Sequence, residues 1–281
     1  MPELPEVESV KQGLNKIVKN ETVADVTVRW PRIIESPDVE TFKNQLKNQT
    51  IEEVKRRGKF LLFYLSDYVL ISHLRMEGKY QLAEPTTPRE ITPVSKHTHV
   101  IFHLESGKEL RYLDVRKFGR MSLVERGKEF EHKSLKKLGP EPTKEEFIFS
   151  DMQAFLKRRT KAIKGVLLDQ HLVVGVGNIY ADEILFHAKI HPTAPANQLT
   201  EAEQLRLHEA IILILDAAVK SGGTTIRTYK NAFGDAGTFQ NHLLMYGKEN
   251  QPCENCGTLI EKIKVAGRGT HYCPSCQPLK G

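Results

Sequence analysis

The sequence predicts an α+β chain of more than one domain: a strand-rich N-terminal half with a flanking helix, a helical middle and a short metal-bound finger. Three observations carry this reading. The 281 residues exceed what one small domain uses. Short alternating apolar runs recur to about residue 126, and helical spacing replaces them after about Pro140. All four cysteines lie at or beyond position 253.

A first helix is expected from Glu3 to about Lys19. Val7, Val10, Leu14, Ile17 and Val18 form one stripe, and Pro5 is tolerable in the first turn. VADVTV then alternates as a strand. FLLFYL and YVLISHL flank a tight Ser66-Asp67 turn, and THVIFHL faces KELRYLDV across Ser106-Gly107. From residues alone this series fits a sandwich or a barrel. Residues 83–96, with three prolines, read as a loop.

SDMQAFLKRRTKAIKGVLLD and NIYADEILFHA are expected to be helices separated by the glycine-bearing turn LVVGVG. A third helix starts at Thr200, where Glu203 completes a capping box, and stops at Ser221-Gly222-Gly223. The Gly-, Thr- and Asn-rich stretch 222–241 reads as a loop. The resulting division is 1–135, 136–222, a connector 223–243, and a finger 244–281.

The finger carries Cys253-x-x-Cys256, sixteen intervening residues, and Cys273-x-x-Cys276. Two such knuckles wrap one tetrahedral Zn²⁺ with four thiolates and leave no position for water, so the ion is structural. TLIEKIKV and THYC read as hairpin strands joined by AGRG. Arg268 sits at that tip, either as a solvated turn residue or as a finger that grips phosphate.

The net charge is +6, from 41 Lys+Arg against 35 Asp+Glu, and it favours a polyanionic partner. Its placement matters more than its sum. KRRTKAIK at 157–164 holds five cations and no acid. It is followed by VVGVGNIY, where glycines permit close backbone approach and Asn178 opens a helix whose N–H groups suit phosphate. A nucleotide loop fits poorly, since GVGNIY lacks the third glycine and no Walker lysine follows. Apolar runs such as IILIL at 211–215 fall far short of the about 20 residues that span a bilayer. The acidic, proline-broken start does not read as a secretory signal. A soluble intracellular protein without membrane association is expected, and no oligomerisation seam is visible, so a monomer is the default.

The start, MPELPE, permits two readings. Pro2 can be a helix-entry residue, with Glu3 and Glu6 complementing the helix dipole. Once Met1 is removed, Pro2 is also a free secondary amine that titrates near ~8, so it is nucleophilic at neutral pH. Such an amine forms an iminium with an aldehyde-like carbon, an electron sink, with Glu3 adjacent as acid or base.

PELPEVE at 2–8, RRGKFLL at 56–62, HLRMEG at 73–78, DVRKFG at 114–119, LGPEP at 138–142, VVGVGNIYADE at 173–183, GGTT at 222–225 and the four-cysteine finger occur together and in order. This series resembles the bacterial formamidopyrimidine-DNA glycosylases nearly end to end. The resemblance implies an N-terminal β-sandwich, a helix-two-turn-helix unit and a zinc ribbon, with damaged double-stranded DNA bound between the halves. It implies base excision repair of 8-oxoguanine and formamidopyrimidine lesions by a cytoplasmic, nucleoid-acting glycosylase that is also an AP lyase.

By the same resemblance Pro2 is the nucleophile at the sugar C1′, Glu3 its acid partner, Lys59 a helper in β-elimination, and Arg268 the phosphate-gripping residue of δ-elimination. Met76, Arg116 and Phe118 fill the void left by the extruded nucleotide. His97, Arg159 and Asn178 contact DNA, with Arg158 and Lys161 as alternatives to Arg159. Cys253, Cys256, Cys273 and Cys276 hold the zinc, and GGTT with the loop to about Tyr229 covers the extruded base. The related oxidised-pyrimidine enzyme, endonuclease VIII, has glycine where Leu4 stands and lacks the RxF filler. A catalytically dead DNA-binding module would not need Pro2, Glu3 and Lys59.

Overall fold

Apolar residues three and four apart build the first helix, α1 (Leu4–Val18), and bury Val7, Val10, Leu14 and Val18 along one stripe. Its neighbours are strands: β1 (Val23–Val28), β2 (Ile34–Ser36), β3 (Ile51–Arg57), β4 (Phe60–Leu65), β5 (Tyr68–His73), β6 (Lys79–Ala83), β7 (Thr98–Leu104), β8 (Glu109–Leu113) and β9 (Arg120–Glu125). They form two sheets, ordered β1-β7-β8-β6 and β2-β9-β5-β4-β3. Leu61, Phe63 and Leu65 of one sheet and Val100, Phe102 and Leu104 of the other alternate into a single apolar cluster that also takes the α1 stripe. The two sheets are therefore a sandwich, which settles the choice against a barrel.

A helix between β2 and β3, α2 (Val39–Leu46), was not expected from the sequence. Asp38 caps it by accepting from the Thr41 N–H at 3.0 Å, and Phe42 and Leu46 enter the core.

The computed structural model describes residues 1–84, 94–224 and 237–279, in two units. The sandwich unit holds Pro2 and Glu6–Lys136; the other holds Glu3–Pro5, Lys137–Thr224 and the described residues from Thr238 onward. Most of the proline-rich segment at 83–96 and of the connector at 223–243, including Tyr229, lies outside the described residues.

The second unit contains α3 (Phe149–Leu156), α4 (Ile163–Leu168), α5 (Asn178–His187) and α6 (Glu201–Lys220), then the hairpin β10 (Glu261–Val265) and β11 (Arg268–Tyr272). Thr200 and Glu203 cap α6 reciprocally, as the capping box requires. The expected single helix over 150–169 is two. Between α3 and α4 the backbone turns to the segment 194–197: Ile163 N–H donates to the Ala194 carbonyl at 2.8 Å, and the carbonyls of Arg159 and Lys161 accept from Asn197 and Ala196. Tertiary hydrogen bonds thus replace the helical ones, and residues 157–162 of the basic run occupy a turn rather than a helix face.

Among the described residues, no helix is long and apolar enough to cross a membrane.

Candidate functional site

In the sandwich unit, Pro2 is buried and Met1 before it is 47% exposed. Lys59 and Gly58 form the two-residue turn joining β3 to β4. Gly58 has φ +55, the left-handed backbone that a tight hairpin turn demands at its first position. Lys59 is buried there rather than solvated. Its charge, after burial itself and the charge of Arg75, contributes to holding the His73 imidazole down at about 3, so that ring is neutral. The Nδ1 atom of His73 accepts from the Arg75 N–H at 2.9 Å, which fixes the start of the HLRMEG loop.

Met76 projects from that loop and is 38% exposed. Phe118, 45% exposed, and Arg116 project from the turn between β8 and β9, with the Arg116 guanidinium 4.8 Å from the Phe118 ring centre. The two loops share a floor. A Cβ on Gly78, which ends the first, would lie 2.1 Å from the Tyr112 hydroxyl, and one on Gly119, which ends the second, 1.9 Å. Only glycine lets both loops close onto that ring. His97 joins the same region, its carbonyl accepting from the Asp114 N–H at 3.0 Å.

In the second unit, Glu3 is buried at the N-terminus of α5. Its carboxylate accepts from the Gly177 N–H at 2.5 Å and the Ile179 N–H at 2.9 Å. Leu4 N–H donates to the Gly175 carbonyl at 3.1 Å. A Cβ on Gly177 would fall 2.3 Å from the Glu3 carboxyl carbon, and one on Gly175, at φ +93, would fall 2.4 Å from Leu4. The glycines of VVGVG therefore admit the chain's own Glu3-Leu4, and these two helix N–H groups hold a carboxylate instead of the phosphate the sequence suggested.

Asn178 donates from Nδ2 to the Gly269 carbonyl at 3.0 Å, beside Arg268, while its Oδ1 has no hydrogen-bond partner among the described residues. Arg268 is exposed and opens β11, pairing with Val265. The hairpin tip is Ala266-Gly267, both at positive φ (49 and 74), so Arg268 stands just past the tip rather than on it. Arg158, Arg159 and Lys161 are all exposed in the turn between α3 and α4, and the Arg159 guanidinium lies 4.4 Å from the Phe155 ring centre.

One member of the basic run is not solvated. Lys164 and Asp182 have no side-chain exposure and pair at 2.6 Å. Lys164 also donates to Thr270 Oγ1 at 2.7 Å, and Asp182 accepts from the His271 N–H at 2.9 Å. Burial draws the Lys164 ammonium below the ordinary lysine value, against the pull of Asp182. Glu183, next on α5, accepts from the N–H groups of Leu244, Met245 and Tyr246 at 2.8–2.9 Å. The sequence reading missed both acids. Two carboxylates in a helix otherwise apolar on every side were the available signal, since buried charges need partners.

The four cysteine sulfurs all lie within 4.8 Å of one another, with Cys253–Cys276 at 3.9 Å and Cys256–Cys273 at 3.4 Å. Zn–S bonds of about 2.3 Å in a tetrahedron place sulfurs about 3.8 Å apart, so the cluster fits one structural zinc ion. Gln277, fully buried, accepts from the Cys273 N–H and donates to the Ile190 carbonyl, fastening the second knuckle.

Three family profiles cover the chain in sequence: the formamidopyrimidine-DNA glycosylase N-terminal domain at residues 1–121, the H2TH domain of the same family at 138–230, and the zinc finger found in FPG and IleRS at 250–279. The formamidopyrimidine-DNA glycosylase of Enterococcus faecalis is 57% identical over 281 residues, covering 100% of this chain and 99% of that one. The chain belongs to the formamidopyrimidine-DNA glycosylase family. It is a base-excision-repair DNA glycosylase with the family's helix-two-turn-helix unit and zinc finger. The formamidopyrimidine-DNA glycosylase of Shouchella clausii is 53% identical over 279 residues, 99% of each chain. Among solved glycosylases, a Lactococcus lactis FPG variant in complex with a Fapy-dG containing DNA matches with TM-score 0.92 and 45% identity, over 99% of this chain and 100% of that one. The Lactococcus lactis enzyme with an abasic site containing DNA matches with the same TM-score, identity and coverage.

Proposed function

We propose that this glycosylase excises 8-oxoguanine and formamidopyrimidine bases from duplex DNA and then cleaves the strand through a Pro2 Schiff base, acting as a cytoplasmic monomer. The observation that carries the reading is the seat built for Glu3. Two backbone N–H groups at the start of α5 and a glycine with no room for a methyl fix its carboxyl group, in the residue bonded directly to Pro2. An anchored carboxyl next to a secondary amine is suited to proton transfer at the carbon that the amine attacks.

With Met1 removed, the Pro2 nitrogen bonds to C1′ as the glycosidic bond breaks and its electrons leave with the base. Glu3 takes the proton that the Pro2 nitrogen sheds on bonding to C1′ and delivers it to the ring oxygen as the sugar opens, giving an iminium. Loss of a C2′ proton then expels the 3′ phosphate, with Lys59 assisting. A second elimination expels the 5′ phosphate, with Arg268 neutralising its charge. Water hydrolyses the remaining iminium and frees the amine.

The lesion nucleotide must leave the stack for this chemistry, at a cost of a few kcal/mol. Met76, Arg116 and Phe118 take its place, two apolar wedges and a guanidinium. His97, Arg159 and Asn178 contact the DNA backbone, where exposed cations release counterions. The zinc carries no step and stiffens the hairpin bearing Arg268.

The test is a duplex labelled at both ends with 8-oxoguanine opposite cytosine, compared with one carrying thymine glycol. Faster cleavage of the first, with phosphate on both ends of the gap, supports the assignment. Preferential cleavage of the thymine-glycol duplex would overturn it.

A further inference from the structure

The turn that bears Arg116 and Phe118 is held by two opposite charges that none of the roles above uses. Asp114 is 1% exposed, and its carboxylate accepts three backbone N–H groups: Arg116 at 3.0 Å on Oδ1, and Phe118 and Gly119 at 2.8 Å each on Oδ2. Its carbonyl accepts from Lys117 N–H at 3.3 Å and hydrogen-bonds His99 Nε2 at 2.7 Å. On the other side, Arg120 Nη1 donates to the Gly119 carbonyl at 2.7 Å, with longer contacts to the carbonyls of Phe118 at 3.3 Å and Lys117 at 3.5 Å. The backbone dipoles of one short turn are therefore gripped at their N–H ends by an anion and at their C=O ends by a cation.

The side chains show the same constraint. Lys117 takes a left-handed conformation, φ +58, and its ammonium lies 4.0 Å from the Trp30 ring centre, which turns it aside from its neighbours. Arg116 and Phe118 are left exposed and stacked on one another. A wedge ordered only on entering DNA would lose backbone and side-chain entropy at that moment. A wedge already ordered avoids most of that loss.

We propose that Asp114 and Arg120 are positioning residues that pre-form the Val115–Gly119 turn, so that Arg116 and Phe118 enter the vacated stack without reordering. This rests on the reading of Arg116 and Phe118 as void fillers. It assigns to Asp114 and Arg120 the rate of insertion and not the strength of DNA binding.

The test uses the full zinc-loaded chain with a mature N-terminus and a duplex carrying 8-oxoguanine opposite cytosine, with 2-aminopurine beside the lesion to report unstacking. Asp114→Asn is expected to slow both the fluorescence rise and single-turnover excision by about tenfold, while affinity for an undamaged duplex changes less than about twofold. Arg120→Ala, at a partly exposed site that tolerates truncation, is expected to slow both by about threefold, and Arg120→Lys, which still donates, to restore them to within about twofold. Amide exchange at Arg116, Phe118 and Gly119 should accelerate in Asp114→Asn and stay unchanged in the strands of the sandwich. If both variants insert and excise at the wild-type rate while Phe118→Ala is slow, the proposal is overturned and the filler reading stands. If Phe118→Ala is as fast as wild type, the filler reading fails and the proposal with it.

Discussion

Lys164 and Asp182 form an ion pair at 2.6 Å that solvent does not reach, and the pair connects α4 and α5 to β11, the strand that begins with Arg268. A charge pair this deep adds little stability over an apolar pair of the same shape, but losing one partner strands the other.

Lys164→Met is therefore expected to cost about 3–5 kcal/mol, read from the urea midpoint and slope of the zinc-loaded protein. Combining it with Asp182→Leu should recover a large part of the loss. A single variant as stable as wild type would show that the pair is not what holds the strand.

Gly177→Ala places a methyl 2.3 Å from the Glu3 carboxyl carbon, so the carboxylate must leave its two N–H donors. The predicted result is a fall in single-turnover excision of about a hundredfold or more with the circular dichroism of the fold retained. Ser66→Ala, in a surface turn of the sandwich, serves as a control with unchanged rate.

His73 supplies a pH signature. Its folded-state value of about 3 lies below the unfolded value of ~6.5, so the unfolded chain binds the extra proton between them. Its stabilising contribution is complete above ~6.5 and is lost as pH falls toward 3. Urea unfolding should show the wild type losing about 1.6 kcal/mol relative to His73→Asn between pH 6.5 and 5, because asparagine keeps an acceptor for the Arg75 N–H without titrating. Parallel stability curves for the two proteins would refute the assignment.

Much of this was legible beforehand, for reasons that differ by element. The α1 stripe, the β4–β5 and β7–β8 hairpins and the Thr200 capping box follow from local periodicity and turn chemistry, which act within a few residues. The cysteine spacing likewise determines its own geometry. What escaped depends on partners distant in the chain. The break at 157–162 arises from hydrogen bonds to 194–197, and the glycines of VVGVG answer to Glu3-Leu4, over 170 positions earlier. Lys164 is indistinguishable in the sequence from the exposed cations of its run, because its partner lies on another helix. Both signals for α2, the Asp38 cap and the helical spacing of Val39, Phe42 and Leu46, are local and were available in the sequence.

Removing the metal tests the finger separately. Chelation of one zinc per chain should abolish binding to lesion duplex while leaving the sandwich core folded, followed by near-ultraviolet circular dichroism. Zinc content by elemental analysis should be one ion per chain, and a metal-stripped protein that still binds lesion DNA as tightly would contradict a structural role for the site.

Pro2 is the reacting amine of the proposed chemistry, and borohydride trapping tests that role most directly. Reduction in the presence of a duplex carrying 8-oxoguanine opposite cytosine should yield a covalent protein–DNA adduct whose cross-linked peptide begins at Pro2. Pro2→Gly with an extended N-terminus should yield none. An intact, mature chain that excises the base yet gives no adduct, or one cross-linked through Lys59, would contradict it.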